Sequence, residues 1–113
     1  MHEASIIMGV LETVTRQCQQ EGYTKINSIR LRIGKASSIL PDSLYFAFDA
    51  AKINTLAHGA ELIIESVPIG GTCKACGHDF AVEEFIFNCQ NCQSTKINVS
   101  RGFDMEIVDM DVD

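Results

Sequence analysis

Hydrophobic positions in the first part of the chain follow two periods, which predict a helix and then a strand. Across residues 4–21 apolar side chains recur every three or four positions, and Gly22 follows where a left-handed helix cap is expected. From Ile29 to Ile33 apolar residues alternate with polar ones up to Gly34, which is typical of a strand with one buried face. The apolar positions of the helix are Ile7, Val10, Leu11, Val14 and Cys18.

A second helix and a second strand follow along the chain. Pro41 suits the first position of a helix, and Leu44 and Phe48 recur on one side of a segment that runs to about residue 53. Residues 61–67 are rich in β-branched side chains and stop at Pro68. This composition predicts a strand that is buried on both faces.

The last segment, residues 103–112, again alternates apolar and polar positions. The apolar parity shifts between Ile107 and Val108, which predicts a β-bulge. Because this terminal strand needs a sheet to join, the cysteine-rich segment before it is expected to be an insertion. We therefore predict an α+β fold with a small mixed sheet of about three strands and two helices, plus an inserted zinc-ribbon-like module. The predicted domains are 1–68 with 101–113, and 69–100.

The insertion carries two C-x-x-C pairs with twelve residues between them. The pairs are Cys73 with Cys76, and Cys89 with Cys92. Two such turns deliver four thiolates to one tetrahedral zinc ion, and a closed tetrathiolate leaves no position for water or substrate. The sequence therefore predicts a structural zinc site. His78, two residues after Cys76, could replace a thiolate or contact the site from outside the ligand set, and an exposed histidine on the knuckle is the alternative interpretation.

Composition and charge exclude several classes of function. The 113 residues are 46% hydrophobic, which is enough for a compact core. There is no apolar run of about 18 residues to span a bilayer and no secretory signal pattern, so a cytoplasmic location is expected. Five of the acids behind the net charge of −6 lie in residues 103–113, without a base. The chain lacks the clustered bases of a nucleic-acid-binding protein.

The amino terminus offers a second set of metal donors. The α-amine of Met1, the backbone nitrogen of His2 and its imidazole can form two fused chelate rings around one ion, and Glu3 can add a fourth donor. A nearly square-planar set of this kind selects Ni(II) or Cu(II) over zinc. A solvated terminal histidine without metal is the alternative interpretation of His2.

Three features of the whole chain resemble the HypA/HybF family of hydrogenase nickel-insertion chaperones. They are Met1-His2-Glu3 at the start, Ile33-Gly34-Lys35-Ala36-Ser37 after the first strand, and the paired cysteines in an insertion. The resemblance implies nickel at Met1, His2 and Glu3, with transient Ni²⁺ as cargo and structural Zn²⁺ at the cysteines. Some members have an acid near the second helix that approaches nickel, which makes Asp42 a candidate extra ligand.

The resemblance also implies partners and a mode of action. The expected partners are a nickel-handling GTPase of hydrogenase maturation and a hydrogenase large-subunit precursor, with urease accessory proteins in some organisms. Neither nucleic acid nor a membrane is expected as a partner. The chain would bind, carry and release nickel, so we do not expect an enzyme or any catalytic residue.

Two other functions are compatible with the cysteine pattern. The chain could be a zinc-ribbon protein-interaction module without any nickel function, or a thiol oxidoreductase in which one pair cycles without zinc. The oxidoreductase is disfavoured because neither pair lies at a predicted strand-to-helix junction.

Overall fold

The computed structural model describes residues 3–113, which form two helices, six strands and one short 3-10 helix. Within this range no helix combines the length and the apolarity needed to cross a membrane. In chain order the elements are α1 (Glu3–Glu21), β1 (Ile26–Gly34), the 3-10 helix (Lys35–Ser37), α2 (Pro41–Ala51), β2 (Glu61–Val67), β3 (Ile69–Cys73), β4 (Asp79–Val82), β5 (Ile97–Arg101) and β6 (Met105–Val112).

Both predicted helices are present, and their apolar stripes form buried faces. The stripe of α1 is buried at Ile6, Ile7, Val10, Leu11, Val14 and Cys18. Gly22 takes a φ of +83°, as expected of a left-handed cap. Helix α2 starts at Pro41 as predicted and buries Leu44 and Phe48. It ends at Ala51 rather than near residue 53, and Asn54 then takes a φ of +65° in the turn.

The first sheet has three strands in the order β2-β1-β6. Two arginines of the central strand form ion pairs with acids of both neighbours. The side-chain nitrogens of Arg30 lie 2.9 Å from a carboxylate oxygen of Glu65 and 3.3 Å from one of Asp109. Those of Arg32 lie 2.9 Å from a carboxylate oxygen of Glu106 and 3.3 Å from one of Glu65. The basic strand and the acidic terminal segment therefore neutralise each other across the sheet, a pairing that the separate sequence patterns did not predict.

The strands of this sheet follow their predicted patterns with two differences. In β2 Leu62 is buried whereas Ile63 and Ile64 are half-buried, so the prediction of burial on both faces is confirmed only in part. Strand β6 begins at Met105, and Phe103 lies before it with 52% of its surface exposed. The burial pattern of β6 shifts by one position between residues 107 and 108, and the β-bulge itself stays a prediction.

A second antiparallel sheet, in the order β4-β3-β5, carries the cysteine segment. Gly71 pairs with Phe80 on one side and with Val99 on the other, and the register of β3 with β5 shifts between Gly70 and Gly71. These strands are only four or five residues long, so the sequence patterns did not reveal them. The predicted α+β architecture with two helices and a three-stranded sheet is confirmed.

The chain divides into two compact units. The helical unit comprises the described part of Met1–Arg32 together with Ile39–Glu65 and Glu106–Asp113. The cysteine unit comprises Ile33–Ser38 and Ser66–Met105. In the cysteine unit the end of β1 joins the segment before β6, because the Gly34 N–H donates to the Asp104 carbonyl at 2.8 Å. The Ala36 N–H likewise donates to the Gly102 carbonyl at 2.8 Å.

Candidate metal centre

The cysteine unit brings its four cysteine sulfurs together. The Sγ atoms of Cys73, Cys76, Cys89 and Cys92 all lie within 4.8 Å of one another. The Sγ atoms of Cys73 and Cys92 are 3.5 Å apart, and those of Cys76 and Cys89 are 3.6 Å apart. In a regular tetrahedron with Zn–S bonds of about 2.3 Å, neighbouring sulfurs lie about 3.8 Å apart. The cluster is therefore consistent with a zinc site.

The two C-x-x-C turns have the same backbone hydrogen bonds. In the first knuckle, residues 73–77, the Gly77 N–H donates to the Cys73 carbonyl at 2.9 Å. In the second knuckle, residues 89–93, the Gln93 N–H donates to the Cys89 carbonyl at 2.8 Å. Gly77 and Gln93 both take positive φ values, +79° and +67°. Gln93 adopts this left-handed conformation, although glutamine at this position is only a weak turn signal in the sequence.

Each knuckle is closed by a second hydrogen bond, and its two cysteines differ in burial. The N–H of the first cysteine donates to the carbonyl five residues later, from Cys73 to His78 at 2.8 Å and from Cys89 to Ser94 at 2.9 Å. Cys73 and Cys89 are buried, whereas Cys76 and Cys92 are exposed. The cluster therefore presents one buried and one exposed sulfur from each knuckle.

Hydrogen-bond donors surround the sulfurs. The Asn91 side-chain amide donates to Cys76 Sγ at 3.5 Å. This amide, followed by the backbone N–H of His78, lowers the pKa of the Cys76 thiol to about 6. The backbone N–H of Cys76 lowers the pKa of Cys73. N–H donors stabilise the charged form of a thiol, so they favour the thiolates that metal binding requires.

The crowding of the sulfurs also opposes complete ionisation. The Ser94 N–H lowers the pKa of the Cys92 thiol. The other three thiols and the loss of hydration raise it by more, so the pKa is raised overall to about 12. Four thiolates at these separations repel one another unless a cation lies between them. A divalent metal removes that repulsion, so the donor set fits zinc chemically as well as geometrically.

His78 contacts the sulfur cluster through its main chain. Its backbone N–H lowers the pKa of the Cys76 thiol. Its imidazole stacks on Phe80 with ring centroids 5.7 Å apart and planes 11° apart. A role for the imidazole beside zinc stays a prediction. Asn91, in contrast, was not singled out from sequence, although an amide within a C-x-x-C turn is well placed to donate to sulfur.

The predicted nickel ligands fall partly outside the described residues. Met1 and His2, which carry the predicted chelate, lie outside them, and α1 begins at Glu3. Glu3 and Asp42 line the same open groove of about 440 Å³, together with Ala4, Ser43, Phe46 and Ala47. The structure thus brings two of the predicted nickel ligands to one groove, although they lie 39 positions apart in the sequence. Their role as ligands stays a prediction.

Comparison with known proteins places the whole chain in one family. Residues 1–112 match the family model described as HypA, hydrogenase/urease nickel incorporation, metallochaperone. A hydrogenase maturation factor HypA from Chlorobaculum parvum is 38% identical over 107 residues, 95% of each chain. One from Desulfitobacterium hafniense (strain DSM 10664 / DCB-2) is 34% identical over 113 residues, 100% of this chain and 99% of the relative.

Solved structures show the same fold. The solution structure of the Ni metallochaperone HypA from Helicobacter pylori has a TM-score of 0.68, with 22% sequence identity, and covers 99% of this chain and 97% of that one. A second solution structure of a HypA protein has a TM-score of 0.65. The chain therefore belongs to the HypA family of hydrogenase/urease nickel-incorporation metallochaperones.

Proposed function

We propose that the chain binds Ni(II) at its amino terminus and delivers it to the large-subunit precursor of a [NiFe]-hydrogenase, with urease as a further acceptor in some organisms. A nickel-handling GTPase would take part in the transfer. The cysteine cluster would hold a structural zinc ion throughout. Because free thiols of this kind persist in a reducing compartment, the proposed site of action is the cytoplasm.

The proposed nickel ligands are nitrogen atoms supplemented by oxygen. The α-amine of Met1, the backbone nitrogen of His2 and the His2 imidazole supply three nitrogens in two fused chelate rings. Glu3 supplies a fourth donor. Nitrogen and oxygen donors in a square-planar arrangement suit Ni(II), whereas thiolates in a tetrahedral arrangement suit zinc. The two sites are therefore expected to select different ions.

The observation that carries the proposal is the shared groove of Glu3 and Asp42. Glu3 is the first residue of α1, and Asp42 lies in the first turn of α2. Both line one groove, and Glu3 directly follows residue 2 in the sequence, which supports an oxygen donor from α2 in addition to the terminal nitrogens. Asp42 is exposed, so its carboxylate is accessible to a hydrated cation.

The proposed zinc ligands are Cys73, Cys76, Cys89 and Cys92. When bound, zinc supplies the positive charge that keeps four thiolates together. The chain contributes the backbone hydrogen bonds that hold both knuckles in shape and the Asn91 amide, which donates to the Cys76 sulfur. Four protein ligands complete a tetrahedral shell, so this site is proposed to stabilise the fold rather than to exchange cargo.

Release of nickel would proceed by ligand exchange and would involve no covalent chemistry in a substrate. An acceptor with more donors displaces the terminal ligands one at a time. Protonation acts in the same direction, because the imidazole has an ordinary pKa of about 6.5 and the α-amine one of about 7.7–8.0. Nickel affinity is therefore expected to fall as the pH decreases from 8 to 6.

A nickel titration of zinc-loaded, untagged protein tests the proposal. The variants are His2→Ala, a form with one residue added before Met1, Asp42→Asn, and His58→Ala as the matched control, since His58 is an exposed histidine elsewhere in the helical unit. The first two should weaken binding by more than about 100-fold, the upper end of the losses seen for outer-shell partners alone. Asp42→Asn should weaken it by about 10-fold.

The outcomes separate the proposal from its alternatives. Square-planar absorption should be lost in His2→Ala and in the extended form, while zinc content and His58→Ala stay at the wild-type level. Wild-type nickel binding by both His2→Ala and the extended form would reject the amino-terminal site. Nickel binding that follows the number of free thiols would instead assign the cargo to the cysteines.

A further inference from the structure

An exposed apolar loop connects β4 to the second knuckle. All residues from 83 to 88 are exposed. Three consecutive large apolar side chains lie in this loop, with Phe85 65% exposed, Ile86 60% and Phe87 38%. Single exposed apolar residues are common on protein surfaces, whereas a contiguous group marks a site that another molecule covers. We call residues 83–88 the apolar loop.

The backbone of the apolar loop has a defined turn conformation. Glu84 and Phe85 take φ values of +52° and +58°, in the left-handed region that residues with a Cβ rarely occupy. The Ile86 N–H donates to the Glu83 carbonyl at 2.9 Å and closes the turn. Backbone in such regions is retained mainly at functional sites, so two consecutive residues of this kind point to a presented surface.

The loop forms a ridge between two grooves of the cysteine unit. One groove, of about 350 Å³, extends from the loop to the second knuckle, and Ile86, Asn88 and Cys89 are among its lining residues. The other, of about 340 Å³, includes Phe85, Pro68 and Lys35 in its lining. Glu83 and Glu84 line both grooves. A ridge with a groove on each side can hold apolar side chains of an extended segment.

Charge selects the occupant of this surface. Glu83 and Glu84 contribute acid to both grooves, and Lys35 is the single base in the two linings. A segment that carries Lys or Arg beside its apolar side chains would complement them. A second copy of the chain would bring like-charged loops together across a two-fold axis, in a molecule whose net charge is already −6. Nucleic acid and anionic lipid are also repelled by these acids.

We propose that the apolar loop is the docking site for a protein partner segment in which apolar side chains are flanked by Lys or Arg. The proposal goes beyond the carriage of nickel, because the loop belongs to the cysteine unit and needs no nickel. It rests on the zinc half of the proposed function, because the loop runs directly into Cys89. Zinc would then fix the end of the loop and hold the ridge in its binding conformation.

NMR titration of the zinc-loaded full chain with three matched synthetic peptides tests the proposal. The probe peptide has two phenylalanines flanked by lysines; in the second peptide glutamates replace the lysines, and in the third serines replace the phenylalanines. The probe peptide should shift the amide signals of residues 83–88 and bind more weakly as salt increases. Phe85→Ser should weaken its binding on the order of tenfold or more, as expected for an apolar anchor.

Controls separate this proposal from nickel binding and from folding. Phe103→Ser replaces a phenylalanine of the same unit that is 52% exposed but outside the loop, and it should bind the probe peptide like the wild type. His2→Ala should also bind it like the wild type, whatever the outcome of the nickel titration. Zinc content is measured in every sample, so loss of metal is not confused with loss of docking.

Four results of the titration would overturn the proposal. The first is that the probe peptide does not bind at about 1 mM, where even a weak complex forms. The second is that the serine peptide binds equally well. The others are signal shifts that map outside the loop, and wild-type affinity of Phe85→Ser for the probe peptide. A dimer of the wild-type chain that Phe85→Ser dissociates would assign the loop to self-association, and would overturn it as well.

Discussion

The two units of the chain have different interiors. Among the described residues, the helical unit buries hydrocarbon side chains from both helices and from β1, with Ile7, Leu31 and Phe48 among the most enclosed. The buried apolar residues of the cysteine unit are Ile33, Ile69, Cys73, Val82 and Cys89, so two of the five are cysteines of the sulfur cluster. The helical unit is stabilised by removing apolar surface from water, whereas the cysteine unit buries few such side chains and is proposed to depend on bonds to zinc.

This difference fits the two kinds of metal site that we propose for one short chain. A segment of about forty residues rarely builds a sufficient apolar core on its own, so a metal commonly replaces it. The helical unit has an apolar core of its own, so its fold is not expected to require a metal. Its groove beside Glu3 can therefore be left for a metal that comes and goes, as proposed for nickel.

Zinc removal is expected to produce the largest effect. A strong chelator, or Cys89→Ser, should unfold the cysteine unit, because its small core cannot replace the lost metal–sulfur bonds. The helical unit should keep its fold. Amide hydrogen exchange residue by residue measures both units in one sample, and protection should be lost in β3 to β5 while α1 retains it. Equal loss of protection in α1 would show that the two units are not energetically separate.

Truncation of the hydrocarbon core should have the next largest effect. Phe48 is 1% exposed, and Phe48→Ala should lower the free energy of unfolding of the helical unit by about 3–5 kcal/mol. Phe46→Ala is the matched control, since Phe46 lies in the same helix and is 81% exposed. Urea unfolding followed by helical circular dichroism checks both. Similar losses in the two variants would contradict the assignment of this core.

A smaller effect is expected where two backbone segments of the cysteine unit approach closely. A Cβ added at Gly34 would lie 2.0 Å from the Gly102 carbonyl oxygen, so the segments must separate. Gly34→Ala should destabilise this unit by about 1–3 kcal/mol. Gly9→Ala is the control, because nothing lies within 4 Å of an added Cβ there, and alanine should stabilise α1 by up to about 1 kcal/mol. Thermal unfolding of the zinc-loaded variants measures both effects. A Gly34→Ala variant as stable as the wild type would contradict the prediction for the cysteine unit.

The ion pairs of the first sheet should give the smallest effect. The Arg30 hydrogen bond, followed by that of Arg32, lowers the pKa of Glu65 below its ordinary value of 4.5. A lowered carboxyl pKa stabilises the fold above the unfolded value, and this contribution is lost as the pH falls through the folded pKa. Glu65→Gln should therefore lower Tm by no more than about 3 °C at pH 7, and the difference should shrink as the pH falls below 4.5 and vanish below the folded pKa.

Salt and a neighbouring variant control this last prediction. High salt should reduce the difference at pH 7, because the paired side chains are partly exposed. Glu61→Gln, an exposed acid at the start of the same strand, should leave Tm unchanged. A Glu65→Gln effect that persisted at pH 3 would show that packing, and not charge, is responsible.

The elements with regular apolar periods could be predicted from sequence. The stripe from Ile7 to Cys18 fixes one buried face of α1, and β2 begins and ends where its β-branched run does. The C-x-x-C spacing likewise predicts the sulfur cluster, because short turns leave few ways to arrange the ligands. In these regions local sequence and tertiary packing favour the same structure.

Features that depend on distant residues could not be predicted. Strand β3 is mostly buried, but two of its residues are glycines, and Val82 is the one buried residue of β4 and β5, so no apolar period reveals these strands. The convergence of Glu3 and Asp42 follows from the packing of α1 and α2, which neither local pattern contains. Asn91 gains its contact with Cys76 only when the two knuckles meet. Tertiary contacts decide all three.

X-ray absorption at the nickel and zinc edges of one doubly loaded sample tests the central claim most directly. The account predicts zinc surrounded by four sulfurs at about 2.3 Å. It predicts nickel in a square-planar shell of nitrogen and oxygen that disappears in His2→Ala. Thiolate sulfur in the nickel shell, with nickel binding unaffected by His2→Ala, would contradict the division of the two metals between the two units.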